Sequence, residues 1–187
     1  MNRRELMRFA GLGVFGLWAE TITAGCSKPG ELSGQRRGAA TKPLDDQGRP
    51  VLTNQDRCAL CAMTVADQPE WVGAVEVRSG ATFYFCSVRC TFRGVLRARE
   101  ILGVEASEIK RTQVPEYLAK SRWIEAGGAW FVVDSSVVGP MGLEVVPAAT
   151  QADADTIVRR HGGRTVRRQD VTIDVLQNLK SREGETR

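Results

Sequence analysis

The chain has 187 residues, 42% of them hydrophobic and 26% charged, a balance that excludes both a disordered polypeptide and a multi-span membrane protein. That length holds one ordinary domain or two small ones. The formal charge is +4, and residues 1 to 25, with three arginines against two glutamates, carry +1 of it, leaving +3; the basic pairs Arg36-Arg37, Arg159-Arg160 and Arg167-Arg168 are short and scattered, so no nucleic-acid partner is expected.

Residues 1 to 25 read as an export signal. Arg3, Arg4 and Arg8 precede an apolar run from Phe9 to Ala19, too short for a transmembrane helix. Asn2-Arg3-Arg4-Glu5-Leu6-Met7-Arg8 looks like a twin-arginine (Tat) signal. Thr23-Ala24-Gly25-Cys26 resembles a lipobox, with Thr23 where leucine is usual. Lipidation at Cys26 is therefore expected, with a plain secretory signal as the alternative. Residues 26 to 50 are rich in Gly, Pro, Ser and charge without an apolar period, and read as a flexible linker behind a lipid anchor.

The first half of the body, residues 51 to 110, opens on Cys58-Ala59-Leu60-Cys61-Ala62-Met63. Two thiols and a thioether within six residues are a denser set of soft ligands than core packing requires. Trp71 to Val77 alternates, with Trp71, Gly73, Val75 and Val77 on one side, and Ser79-Gly80 supplies a turn before Ala81 to Phe85, which predicts a β-hairpin. Ser87 is the candidate N-cap of a helix from Val88 to Glu100, with Gly103 as its stop. This order places Cys86 at the end of a strand and Cys90 in the first helical turn, where the helix dipole is expected to lower a thiol's pKa. Cys58, Cys61, Cys86 and Cys90 have the ligand layout of a treble-clef zinc site; two disulfides are the alternative in an oxidising compartment. Met63 adds nothing for zinc but suits copper(I). A thiol oxidoreductase is disfavoured because the Cys-x-x-Cys does not open a helix after a strand.

In the second half, residues 111 to 170, Arg122-Trp123-Ile124 echoes Glu70-Trp71-Val72, and a glycine turn at Gly127-Gly128 precedes an apolar strand from Trp130 to Asp134. A weak internal repeat follows from that echo. After Gly139-Pro140-Met141-Gly142 come a strand from Glu144 to Val146, a helix from near Thr150 to Gly162-Gly163, and a strand over Arg164 to Arg167. Residues 171 to 187 are expected to form a short helix, Val171 to Lys180, and a fraying tail. His161, the single histidine, falls at the helix end, where C-capping is its ordinary role.

The lipoprotein-like start, Cys58-x-x-Cys61-x-Met63, Pro69-Glu70-Trp71, Phe83-Tyr84-Phe85, and Trp130 to Ser135 leading into Gly139-Pro140-Met141-Gly142 together resemble the NosL family over about residues 53 to 166. The resemblance implies an α+β fold of two similar ββαβ halves, the first treble-clef-like and akin to the domain of organomercurial lyase. It implies no enzymatic turnover but a copper(I) metallochaperone at the periplasmic face of a bacterial membrane, inner or outer, that serves nitrous oxide reductase maturation in denitrification with a membrane ABC-type complex. Cys58, Cys61 and Met63 match the family's sulfur motif, and Met141 matches the methionine of its Gly-Pro-Met-Gly turn. Where the family carries aspartate and serine this chain has Cys86 and Ser87, with Cys90 added, as in the metal-sensing TRASH domains. The full candidate ligand set is Cys58, Cys61, Met63, Cys86, Cys90 and Met141, for Cu(I) or, alternatively, Zn2+.

Overall fold

A computed structural model describes residues 44–120 and 122–179. The export signal, Cys26, most of the linker and the tail from 181 lie outside the described residues. Among the described residues no helix is long and apolar enough to cross a membrane.

Aromatic and β-branched residues build the first antiparallel pair, β1 (Gly73–Val77) with β2 (Thr82–Phe85), in register from Gly73↔Phe85 to Glu76↔Thr82. All residues of both strands are buried. The one-sided pattern suggested by alternation is therefore absent; β1 lies between β2 and β3 in its sheet and packs against α1. Ser87 caps the next helix as expected, its hydroxyl accepting from the Cys90 amide at 3.1 Å. The single helix predicted to Glu100 is broken at Arg97 into α1 (Val88–Leu96) and α2 (Ala98–Ile101). The break turns Ala98, Ile101 and Leu102 inward, where all three are buried among the residues of the first core.

β3 (Ile109–Pro115) pairs with the free edge of β1, and β4 (Trp123–Glu125) closes the sheet in the order β2-β1-β3-β4. The first sheet thus runs beyond residue 110 to Pro115 and takes its edge from the Trp123 segment. The Trp71 and Trp123 segments, alike in sequence, are not structural equivalents. Trp71 ends a 3-10 turn (Pro69–Trp71), and the Trp123 indole N–H donates to the Val72 carbonyl at 2.9 Å.

The equivalence lies one step further along. β5 (Trp130–Val133) is the centre of a second sheet ordered β8-β5-β9, with β8 (Val146–Ala148) and β9 (Arg164–Arg167) at its edges and α3 (Gln151–His161) between them in sequence. In each half the first strand is central, the second lies on one side, and the strand after the helix lies on the other, so the fold is α+β with two similar ββαβ halves. The strand predicted over Glu144 to Val146 is displaced. A small hairpin, β6 (Val138–Gly139) with β7 (Gly142–Leu143), precedes it, and pairing with β5 begins only at Val146. The reason is Glu144, whose side chain turns into the interior. The last helix, α4 (Ile173–Gln177), is shorter than predicted and begins at its Thr172 cap.

Both halves share α1. Cys90 and Val95 belong to the core that holds the knuckle and the first sheet. Val88 and Phe92 belong to the core of the second half, where Phe92 meets Phe131 edge-on with ring centres 4.9 Å apart.

Candidate metal centre

The knuckle forms because the chain reverses within six residues. The Cys58 amide donates to the Met63 carbonyl at 2.8 Å and the Ala62 amide to the Cys58 carbonyl at 2.9 Å. Ala62 takes φ 63° to make the reversal, and Arg57 and Thr64 bridge below it. The Ala59 amide bonds the Tyr84 carbonyl at 2.9 Å, which seats the knuckle on β2. Cys86 follows β2 directly, and Cys90 is held by the Ser87 cap.

These local devices bring Cys58, Cys61, Cys86 and Cys90 together, with all four sulfurs within 4.8 Å of one another. Cys61 and Cys86 are 3.5 Å apart and Cys86 and Cys90 3.8 Å. All four are free thiols, so the disulfide alternative is not the state of this structure. Four sulfurs each about 2.3 Å from a central ion would lie about 3.8 Å apart in a tetrahedron. Cys58, Cys86 and Cys90 are buried, whereas Cys61 is only half-buried. The site therefore has one open side.

Electrostatics in this nest run against the simple helix-dipole expectation. Hydrogen bonds from Cys86 and then Cys90 hold Cys58 far below the ordinary thiol range. The same bond with Cys58 drives Cys86 upward and pushes Cys90 up to about 12. Desolvation raises Cys61, and the charge on Cys58 adds to it. The thiols of Cys86 and Cys90 stay protonated because each is hydrogen-bonded to the Cys58 sulfur and buried, and the charge on Cys58 adds to this. A bound cation would supply the missing counter-charge and let Cys58, Cys61, Cys86 and Cys90 all act as thiolates.

The two methionines sit differently. Met63 is 41% exposed on the knuckle, and its backbone acts on Cys61 by a hydrogen bond that opposes the rise in that thiol's pKa. Met141 is partly buried and packs against the core that contains Cys58, Cys86 and Cys90. His161 lies elsewhere. Its Nε2 is 3.5 Å from the Tyr117 hydroxyl, in the wall of a cavity of about 300 Å³ also lined by Glu70, Trp71 and Lys120.

Two further residues at the site escaped sequence reasoning. Glu144 is 1% exposed, and its Oε1 accepts from the Arg89 amide at 2.6 Å and the Val145 amide at 3.0 Å. Arg89, immediately before Cys90, donates from Nη1 to the Met141 carbonyl at 3.3 Å and from Nη2 to the Leu176 carbonyl at 2.8 Å. The available signal was a lone charge inside the apolar run Gly142-Leu143-Glu144-Val145-Val146.

The NosL family model matches residues 50–176. Over 140 residues the chain is 26% identical to the copper-binding lipoprotein NosL of Stutzerimonas stutzeri, the match covering 68% of each chain. It is also similar to the crystal structure of the copper chaperone NosL from Shewanella denitrificans, with a TM-score of 0.58 and 23% identity, covering 68% of this chain and 98% of that one. At that identity the likeness bears on the fold alone. Because the family model spans more than half of the chain in a single stretch that takes in both ββαβ halves and all four clustered cysteines, the chain belongs to the NosL family.

Proposed function

We propose that this protein is a copper(I) chaperone without turnover, which captures the ion at Cys58, Cys61, Cys86 and Cys90, with the thioethers of Met63 and Met141 at the rim, and passes it on by ligand exchange. The observation that carries this reading is the cluster of four thiols with one open side, where half-buried Cys61 and exposed Met63 meet solvent. Soft sulfur selects copper(I) over harder ions, and an accessible thiolate lets an incoming sulfur ligand bind before the departing one leaves. Its relatives, one a copper-binding lipoprotein and one a copper chaperone, point the same way. We further assign it to the periplasmic face of a bacterial membrane, exported by the twin-arginine route and tethered through lipidated Cys26. There it would serve assembly of the copper centres of nitrous oxide reductase with an ABC-type membrane complex.

The test is a copper(I) titration of the reduced protein against a competing chelator. The Cys58→Ser, Cys61→Ser double variant is expected to lose at least a hundredfold in affinity, since two charged ligands go at once and even an outer-shell partner is worth about 10–100-fold. Unchanged affinity overturns the assignment.

A second reading is favoured by the sulfur separations of 3.5 and 3.8 Å, which suit a closed tetrahedral zinc site in a docking domain. It predicts zinc that survives purification and a fold lost on chelation. Elemental analysis of protein prepared without added metal, followed by a melting curve in chelator, separates the two.

A further inference from the structure

The hairpin that carries Met141 has only two residues in each strand, Val138–Gly139 and Gly142–Leu143. So short a pairing does not hold its own position in water. What holds it are the side chains of Arg89 and Glu144. Arg89 grips the Met141 carbonyl from the first turn of α1 and reaches on to Leu176, while the carboxylate of Glu144 closes on the Arg89 amide. The Glu144 amide donates to the Val137 carbonyl at 3.1 Å, which pins the other end of the hairpin. Gly139 lies directly over the carboxylate. A Cβ there would stand 2.9 Å from Glu144 Oε2 and 3.4 Å from the Trp71 ring, so only glycine lets the hairpin fold down this far.

The arrangement is expensive for mere packing. It buries the Glu144 carboxyl and leaves Arg89 Nε buried without a hydrogen-bond partner, and a buried polar group left unsatisfied is usually less favourable than an apolar one of the same volume. Its contacts converge on one geometric result: the Met141 turn is fastened to the residue that precedes Cys90.

Building on the copper reading above, we propose that Arg89 and Glu144 are positioning residues that fix the Met141 thioether at the buried rim of the sulfur site, opposite exposed Met63. The metal would then meet one solvent-exposed thioether on the open side and one fastened thioether on the closed side. That is a division of labour between entry and retention.

The experiment uses the full-length, reduced protein labelled with 13C at the methionine methyls and titrated with copper(I) alone. In the wild type, both the Met63 and Met141 methyl resonances are expected to shift. In Glu144→Ala and in Arg89→Ala, the Met141 shift should fall by more than half while the Met63 shift persists, and copper(I) affinity should drop about 10-fold, the usual effect of losing an outer-shell partner. Glu144→Gln keeps the Oε1 acceptor and should restore the Met141 shift, which a purely stabilising role for the carboxylate charge would not produce. A full Met141 shift in both alanine variants overturns the proposal and leaves the copper reading standing. A Met141 methyl that does not move in the wild type while Met63 does also overturns the proposal, and the absence of movement at either methyl together with unmeasurable affinity brings down the copper reading beneath it. If Glu144→Ala does not fold, Arg89→Ala carries the test, since it removes only the contacts to the carbonyls of Met141 and Leu176.

Discussion

Ala62 turns the chain at the mouth of the sulfur site in a left-handed conformation, φ 63°, which costs a residue with a Cβ about 1–2 kcal/mol. The turn is kept because it sets the Cys58 amide on the Met63 carbonyl and aims two thiols at one point. At the buried side, the Glu144 carboxyl is pushed up from 4.5 to about 7, first by desolvation, against the opposing amides of Val145 and Arg89, the Ser87 side chain and the Arg89 charge. A raised folded pKa means that the protonated form is favoured by folding. Its contribution is whole below pH 4.5 and is lost as the pH climbs through about 7, a span worth about 3 kcal/mol. Urea denaturation of the metal-free reduced protein should therefore show Glu144→Gln gaining about 2 kcal/mol relative to the wild type between pH 5 and pH 7.5. A constant difference between the two proteins across that range would contradict the assignment of the shift to this carboxyl.

Among the elements, α1 does the most. One of its faces delivers Cys90 and Val95 to the core that holds the cysteine cluster, and another delivers Val88 and Phe92 to the second half. Its close seating on β2 depends on Gly94, where an added Cβ would run into the Phe85 ring. Intrinsic helix propensity favours Gly94→Ala by about 1 kcal/mol, yet overpacking a tight contact costs about 1–3 kcal/mol. Steric conflict with a ring wedged against buried β2 should win. The expected result is a net loss of about 1 kcal/mol, read as a lower urea midpoint at unchanged m-value. Stabilisation by this substitution would mean that α1 can lift from the sheet, and Cys90 with it.

At the scale of the molecule, the cluster ties together pieces that local structure alone leaves separate. Cys58 and Cys61 come from the knuckle, Cys86 from the end of β2 and Cys90 from α1. An ion held by all four cross-links the first core at the point where α1 joins the second, so binding should appear as global stability. At free copper(I) about a thousand times the dissociation constant, the gain is about 4 kcal/mol, or roughly 10 °C in melting temperature for a domain of this size. Calorimetry with and without copper(I) checks this. The Cys58→Ser, Cys61→Ser variant should show none of the increase, and an equal increase in that variant would place the ion elsewhere.

By itself the sequence determined the features that depend on neighbours along the chain. The spacing of Cys58 and Cys61, the strand ending at Cys86, the Ser87 cap one residue later and the helix phase of Cys90 are local, so the convergence of four thiols was legible from their order. A weak internal repeat was legible but anchored on the wrong tryptophan, because Trp71 and Trp123 resemble each other in sequence while one ends a turn and the other edges a sheet; the ββαβ halves came from the family resemblance. Only the tertiary structure decided the rest. It broke the helix at Arg97 to bury Ile101 and Leu102, left Met63 in solvent and Met141 against the core, and placed Glu144 on the amide of Arg89, 55 residues away in sequence. The physical reason is common to all of these: whether a side chain is buried, and which charge meets it there, is set by surfaces brought together across the fold, and neither periodicity nor spacing along the chain encodes that meeting.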